Sequence, residues 1–281
     1  MSSTIIDGKK LASKIKDELK NKISCLKTKP NLAVIIVGNS PASQVYVKNK
    51  EKACLDVGIT TTTYTLPETT KEEDLEQLIL KLNNDMMVNG ILVQLPLPSH
   101  INTSKILQTI TPNKDVDGFH PLNSGLLQQK SSQSIIPCTP NGIIKLIHSI
   151  KENLTGLNAV IVGRSQIVGL PVANLLLHEN CTVTVTHSKT KNLASICKTA
   201  DILVVAIGKP DFITKDYVKK GAIVIDVGIN RTSSGLKGDV NFTDISSTAS
   251  YITPVPGGVG PMTIAMLLEN TYNAYLKQNN S

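Results

Sequence analysis

Ser43, Tyr46 and Lys50 fall at i, i+3 and i+7 of ASQVYVKNKEKACLDVG, a stretch whose spacing predicts a helix stopping at Gly58. Ser40 is expected to cap this helix and Pro41 to suit its first turn. One helix face would then present a hydroxyl, a phenol and an amine near the end of the β-rich run LAVIIV (32–37). Proton transfer is the chemistry these groups support. A lysine stacked on a tyrosine and partly desolvated gives up its proton more readily and can work near neutral pH. Taken singly, a tyrosine at this spacing reads as core and a lysine as solvated, as Lys48 and Lys52 do; the stacking over Tyr46 sets Lys50 apart. Gln94 ends the apolar run GILVQL (90–95), where open α/β sheets place ligand contacts. If buried it needs partners, and could hold Lys50 or a heterocycle. The strand must turn sharply there, so a cis Leu95–Pro96 bond is expected. Asp115 and Asp117 in KDVDGFH suit either a plain turn or a carboxylate receiving N–H groups from an amide-like ring. The loop lacks the remaining ligands of a calcium site, and the five histidines have no ligand spacing, so no metal site is expected.

A second constellation suits phosphate. VIVGRSQIVGLP follows a strand and opens a helix, where backbone N–H groups and the helix dipole receive a pyrophosphate. Gly163 is present, Ser165 replaces the usual second glycine, and Gly169 follows, a weak match to G-x-G-x-x-G on its own. The next strand ends in Thr186, His187, Ser188, Lys189, Thr190 and Lys191, with no acid for a ribose 2′-hydroxyl. Hydroxyls and positive charge favour the 2′-phosphate of NADP over NAD. Only Arg164 and Arg231 are arginines among 29 basic residues, and one in the glycine loop suggests a need for fork geometry toward phosphate. Arg231 reads equally as a surface residue. Asp226 ends a strand at DVG, and Gly257, Gly258 and Gly260 make PVPGGVGPMT a loop that permits close backbone approach to a ligand.

The positioning elements follow from periodicity. LAVIIV, TTTYTL (60–65) and GILVQL alternate with the helix at 41–57 and with KEEDLEQLILKL, which predicts a parallel sheet. Residues 100–140 are turn-rich, and PCTPNG (137–142) reads as a linker before the helix IIKLIHSIKEN. Strands at 158–162, 181–186, 202–207 and 222–227 then alternate with helices, and residues 261–277 close the chain as a helix. The expectation is two α/β units joined near residue 140, which suits the 281-residue length at about 150 residues per domain.

Composition removes other classes. Apolar residues make up 41% of the chain, enough for a packed core, and no apolar run reaches a membrane span. Five scattered cysteines without C-x-x-C fit a reducing compartment rather than a disulfide framework. Most of the net charge of +7 lies in residues 1–30, where lysines flank the apolar row Leu11, Ile15, Leu19, Ile23. That pattern is a solvated helix face. With aromatics at 3% and no Trp, nucleic-acid binding is not expected. The start MSSTIIDGKK lacks a signal-peptide core, and a cytoplasmic location is expected.

The segments VGNSPASQVYVKNK, GILVQLPLP, KDVDGFH, PCTPNG, GRSQIVGLP, DVGIN and PVPGGVGPMT together resemble the bifunctional methylenetetrahydrofolate dehydrogenase/methenyltetrahydrofolate cyclohydrolase (FolD-type) family almost from end to end. The resemblance implies an α/β fold of two domains. Residues 1–140 and 262–281 would form the folate-binding catalytic domain, with the C-terminal helix returning to it. Residues 141–261 would form a Rossmann-like NADP-binding domain. It implies that Lys50 is the key catalytic residue, that Tyr46 positions the folate, that Gln94 engages Lys50 and substrate, and that Asp117 holds the pterin. Ser43, Pro256, Gly257 and Gly258 would also contact substrate. Gly163, Arg164, Ser165, Ser188 and Ile229 would contact NADP, with Arg164 and Ser188 at the 2′-phosphate. The implied partners are tetrahydrofolate derivatives and a second copy in a homodimer. The alternatives are a monofunctional NAD(P)-dependent dehydrogenase, a shikimate-type oxidoreductase and a non-enzymatic nucleotide binder. The Tyr46/Lys50/Gln94 set weighs against the first, VQLPLP and PGGVGPMT against the second, and the clustering of charge in the first helix against the third.

Overall fold

The computed structural model describes residues 3–233 and 235–279, without the side chains of residues 41–43 and 45. In chain order the first elements are β1 (Thr4–Ile5), α1 (Gly8–Ser24), β2 (Asn31–Val37), α2 (Pro41–Val57) and β3 (Thr60–Leu66). Then come α3 (Glu72–Asn84), β4 (Gly90–Val93), α4 (Thr103–Thr109), α5 (Pro121–Gln128), α6 (Cys138–His148) and β5 (Asn158–Val162). The rest are α7 (Gly169–His178), β6 (Thr182–Thr186), α8 (Leu193–Cys197), β7 (Ile202–Val205), β8 (Ile223–Asp226), β9 (Asn230–Thr232), β10 (Gly235–Lys237), α9 (Phe242–Ile245), β11 (Tyr251–Ile252) and α10 (Val259–Asn279).

The chain divides into two compact units. The first comprises residues 14–138 and 264–279, so most of α10 belongs with the N-terminal half. Its sheet is parallel in the order β3-β2-β4, with Ile35 opposite both Tyr64 and Val93. β2 is buried almost throughout, which is why NLAVIIV is a continuous apolar run rather than an alternating one. Leu75, Ile79 and Leu82 of α3 close one face against Ile35, Ile91 and Val93. On α1, Leu19 and Ile23 are buried while Lys14, Lys20 and Lys22 are exposed, the solvated lysine face read from the sequence.

The second unit comprises residues 3–13 and 139–263. Its parallel sheet runs β1-β11-β8-β7-β5-β6, and β9 and β10 form a separate antiparallel hairpin. The sequence analysis grouped residues 3–13 with the first domain. Here β1 pairs with β11, and Gly8 approaches Gly258 so closely that a Cβ would lie 1.9 Å from its carbonyl oxygen.

Several local expectations change. Ser40 sits at the N-cap of α2, but its side chain makes no capping bond. The strand expected at 90–95 ends at Val93, although the Gln94 N–H still donates to the Ile35 carbonyl at 2.8 Å. PCTPNG lies where the chain passes from the first unit to the second, between Cys138 and Thr139, as expected, but it is helix rather than loop, because α6 starts at Cys138. Pro140 lies in the first turn, where a missing N–H costs nothing, and a Cβ on Gly142 would lie 2.9 Å from Met262 Cβ. α4, α5, β1, β11 and the β9–β10 hairpin have no counterpart in the sequence analysis. Leu95–Pro96 is cis as expected, and so is Val255–Pro256.

Candidate functional site

In the first unit, α2 follows β2 directly and carries Tyr46 and Lys50 one turn apart. Lys50 is 4% exposed, and its Nζ lies 4.7 Å from the centre of the Tyr46 ring. The same Nζ donates to Gln94 Oε1 at 3.1 Å. Gln94 is oriented for this: its Nε2 donates to the Leu95 carbonyl at 2.7 Å, which leaves Oε1 as the acceptor. The stacking read from the helix spacing is therefore present, and of the two partners open to Gln94 the amine is the one it holds. The side chain of Ser43 lies outside the described residues.

Asp115 and Asp117 have separated roles. Asp115 is 1% exposed and accepts N–H bonds from Gly118 (3.1 Å), His120 (2.8 Å) and Asn123 Nδ2 (2.9 Å). It is the carboxylate that shapes the turn. Asp117 is half-buried, and burial pushes its carboxyl up, opposed by the Lys50 charge and reinforced by Asp115. Burial also raises the Tyr46 phenol, with Asp117 and then Cys138 adding to it, so the phenol keeps its proton.

The sequence analysis missed two residues here. The Cys138 thiol hydrogen-bonds the Asp117 carboxylate and also lies 3.3 Å from the Val116 carbonyl. Burial holds this thiol well above its ordinary pKa, so it remains a donor. Asn270 on α10 donates to the Val116 and Ile136 carbonyls, both at 2.9 Å, and so ties the Asp117 turn to the segment before α6. Cys138 stood in PCTPNG, a candidate motif; Asn270 carried no signal.

In the second unit, Gly163 has φ +126°, and a Cβ there would lie 2.3 Å from the Ala206 carbonyl oxygen. A Cβ on Gly169 would lie equally close to the Gly163 carbonyl oxygen, so both glycines serve close backbone packing. Ser165 Oγ accepts from the Val168 and Gly169 N–H groups at 3.2 and 3.3 Å, which fixes the entry into α7. Arg164 and Ser188 are exposed at the carboxyl ends of β5 and β6. Ile229 and Asp226 line a cavity of about 130 Å³ with Pro256, Gly257 and Gly258. Those last three, expected at the substrate, thus belong to the unit that holds the glycine loop. Arg231 is an exposed residue of β9. The described residues contain no cluster of His, Cys, Asp or Glu able to hold a metal.

Asp226 is 3% exposed, and burial pushes its carboxyl up to about 7, against N–H bonds from Val240, Asp239 and Gly228 and with the Asp239 charge adding to the rise. The native state therefore binds this proton between about pH 4 and 7 while the unfolded chain does not. That contribution is complete below about pH 4 and lost as pH rises through 7, at most roughly 4 kcal/mol. Thermal unfolding from pH 5 to 8 is expected to show a falling component in wild type that Asp226→Asn lacks; parallel profiles would remove Asp226 as its source.

Comparison with known proteins agrees with this geometry. Residues 6–117 match the family model for the tetrahydrofolate dehydrogenase/cyclohydrolase catalytic domain, and residues 137–279 that for its NAD(P)-binding domain. The chain is 56% identical to the bifunctional protein FolD of Streptococcus equi subsp. zooepidemicus, over 98% of both chains. It superposes on the bifunctional FolD methylenetetrahydrofolate dehydrogenase/cyclohydrolase of Campylobacter jejuni with a TM-score of 0.96 at 51% identity, covering 98% of this chain and 99% of that one. The Trypanosoma brucei FolD structure, a complex with NADP cofactor and inhibitor, gives a TM-score of 0.95 at 38% identity over 100% of both chains. With both family models matched and the lysine, glutamine and glycine-loop geometry in place, this chain belongs to the tetrahydrofolate dehydrogenase/cyclohydrolase family.

Proposed function

We propose that this protein oxidises 5,10-methylenetetrahydrofolate to the 5,10-methenyl cation with NADP and then hydrolyses that cation to 10-formyltetrahydrofolate. The carrying observation is the buried amine of Lys50, held by Gln94 at 3.1 Å over the Tyr46 ring. A dehydrogenase alone has no need of a sequestered amine beside the one-carbon centre. Hydrolysis does: water adds to the cationic carbon and gives up a proton, then the bond to N5 breaks as N5 takes a proton and the carbinol hydroxyl gives one up, leaving the formyl group on N10. One proton is released overall. Lys50 receives and returns protons, Gln94 fixes the direction of its Nζ, and the protonated Tyr46 phenol orients the folate. Asp117, set by Cys138, accepts the N–H groups of the pterin ring. Ser43, Pro256, Gly257 and Gly258 complete the folate contacts in this reading.

The loops of the second unit fit NADP. Gly163 and Gly169 pack too closely for any Cβ, Ser165 frames the α7 N-terminus, and no acid stands at the end of β6. Gly163, Ser165 and Ile229 would hold the dinucleotide, with Arg164 and Ser188 on the 2′-phosphate. When bound, NADP supplies the hydride acceptor. Arg164→Ala is expected to reduce the preference for NADP over NAD by about 10- to 100-fold, the loss of a charge-assisted bond. An unchanged ratio of the two kcat/KM values would place the 2′-phosphate elsewhere.

Homodimerisation through the second unit is part of the proposal. β6 is an edge strand, and Leu170 and Leu177 of the adjoining α7 are 44% and 53% exposed. A cytoplasmic location is also proposed: the five cysteines are free thiols, and no helix among the described residues is long and apolar enough to cross a membrane. The reaction itself is tested with substrate carrying ¹³C in the one-carbon bridge. The label is expected to pass through an amidinium signal to a formyl signal when NADP is added. Accumulation at the amidinium stage, at the buffer rate of decay, would reduce the activity to the dehydrogenase.

A further inference from the structure

Two aspartates of the second unit interlock through each other's glycines. Asp226 Oδ1 accepts from the Gly228 and Asp239 N–H groups, both at 2.9 Å, and Oδ2 accepts from Val240 at 3.0 Å. A Cβ on Gly238 would fall 1.7 Å from Asp226 Oδ2, and one on Gly228 would fall 2.3 Å from Asp239 Cγ. The glycines of DVG (226–228) and GDV (238–240) are therefore the space the two carboxylates occupy. Neither glycine has a left-handed φ, so packing rather than backbone freedom requires them.

Asp239 is wholly buried and saturated with donors. Oδ2 accepts from the Ile207 and Gly208 N–H groups at 2.7 and 2.9 Å, and Oδ1 accepts from the Lys209 N–H and Asn230 Nδ2, both at 2.8 Å. Three consecutive N–H groups turned to one side, with Gly208 at φ +66°, form an anion-binding nest of the kind that elsewhere takes a phosphate. This nest follows β7, and the Ala206 just before it packs on Gly163. β5 lies between β6 and β7, so the sheet order reverses at β5, and the loops after β5 and β7 flank the crevice where dinucleotides bind.

We infer that Asp239 is a positioning residue for the dinucleotide: its carboxylate fills the nest after β7, leaving the phosphates to the loop after β5, and its bond to Asn230 fixes the segment that carries Ile229. The inference rests on the NADP reading of these loops. It adds a residue that acts through the backbone of Ile207–Lys209 and through Asn230 rather than by touching NADP.

The test pairs NADP binding by titration calorimetry with hydrolysis of the methenyl compound, a reaction that uses no nucleotide. Asp239→Asn turns an amide N–H₂ toward buried donors. Its Kd for NADP should rise tenfold or more and amide exchange at 207–209 should accelerate, while hydrolysis stays within about twofold of wild type. A Kd within twofold of wild type in a folded variant would overturn the inference. If Asp239→Asn loses hydrolysis as well, Asn230→Ala decides, since it removes only one half-buried donor. A Kd raised about three- to fivefold with hydrolysis intact supports the role, and an unchanged Kd refutes it. Wild-type protein that turns over folate without binding NADP would instead overturn the cofactor reading, and this inference with it.

Discussion

Lys50→Ala is expected to lose cyclohydrolase turnover by about 10³-fold or more while remaining folded. The magnitude follows from removing an amine that both receives and returns a proton in this mechanism. Two observations separate this from general damage. Among the described residues Lys50 makes one hydrogen bond, to Gln94, and stacks on a single ring. Truncation therefore leaves Gln94 Oε1 unpaired, a cost of roughly 1–3 kcal/mol that a packed domain tolerates. Circular dichroism and NADP affinity should match wild type. Near-normal hydrolysis by a folded Lys50→Ala protein would remove Lys50 from the proton-transfer role.

Asp117→Ala carries the second large effect, about 10²- to 10³-fold in kcat/KM for both activities. A ring with several N–H donors loses an ionic acceptor in a partly desolvated site, and donors left without partners discriminate strongly. Asp117→Asn should recover part of the loss, because one carbonyl oxygen remains. The loss is expected in KM more than in kcat if Asp117 holds the ring throughout the reaction. Loss confined to one of the two activities would show that Asp117 serves a chemical step rather than the hold on the pterin.

The residues legible in the sequence were those whose geometry is local. Tyr46 and Lys50 share a helix, so the helical period alone brought them together. Gln94 required one further inference, that the strands are parallel and aligned at their carboxyl ends, and the register of Ile35 with Val93 bears that out. Asn270 and Asp239 were not legible. Asn270 reaches Val116 across 154 positions of sequence, and no local pattern encodes such a pairing. DVG was legible only as the end of a strand, and only the fold reveals that its glycine and that of GDV each make room for the other segment's carboxylate. The two-residue strands β1 and β11 are too short to carry a periodicity, and their pairing moves the first residues into the second unit. PCTPNG marked the boundary between the units but not its conformation: Pro and Gly were weighed as breakers, whereas the proline stands in a first helical turn and the glycine admits Met262.

The most direct measurement is the rate of loss of 5,10-methenyltetrahydrofolate, supplied to the purified protein without any nucleotide, against the rate in buffer alone. The account predicts enzymatic hydrolysis well above the buffer rate, in a preparation that also reduces NADP, and NAD less well, with the methylene compound. Decay at the buffer rate in a protein that still performs that NADP-dependent oxidation would contradict it, and would leave the buried pair of Lys50 and Gln94 without the chemistry assigned to it.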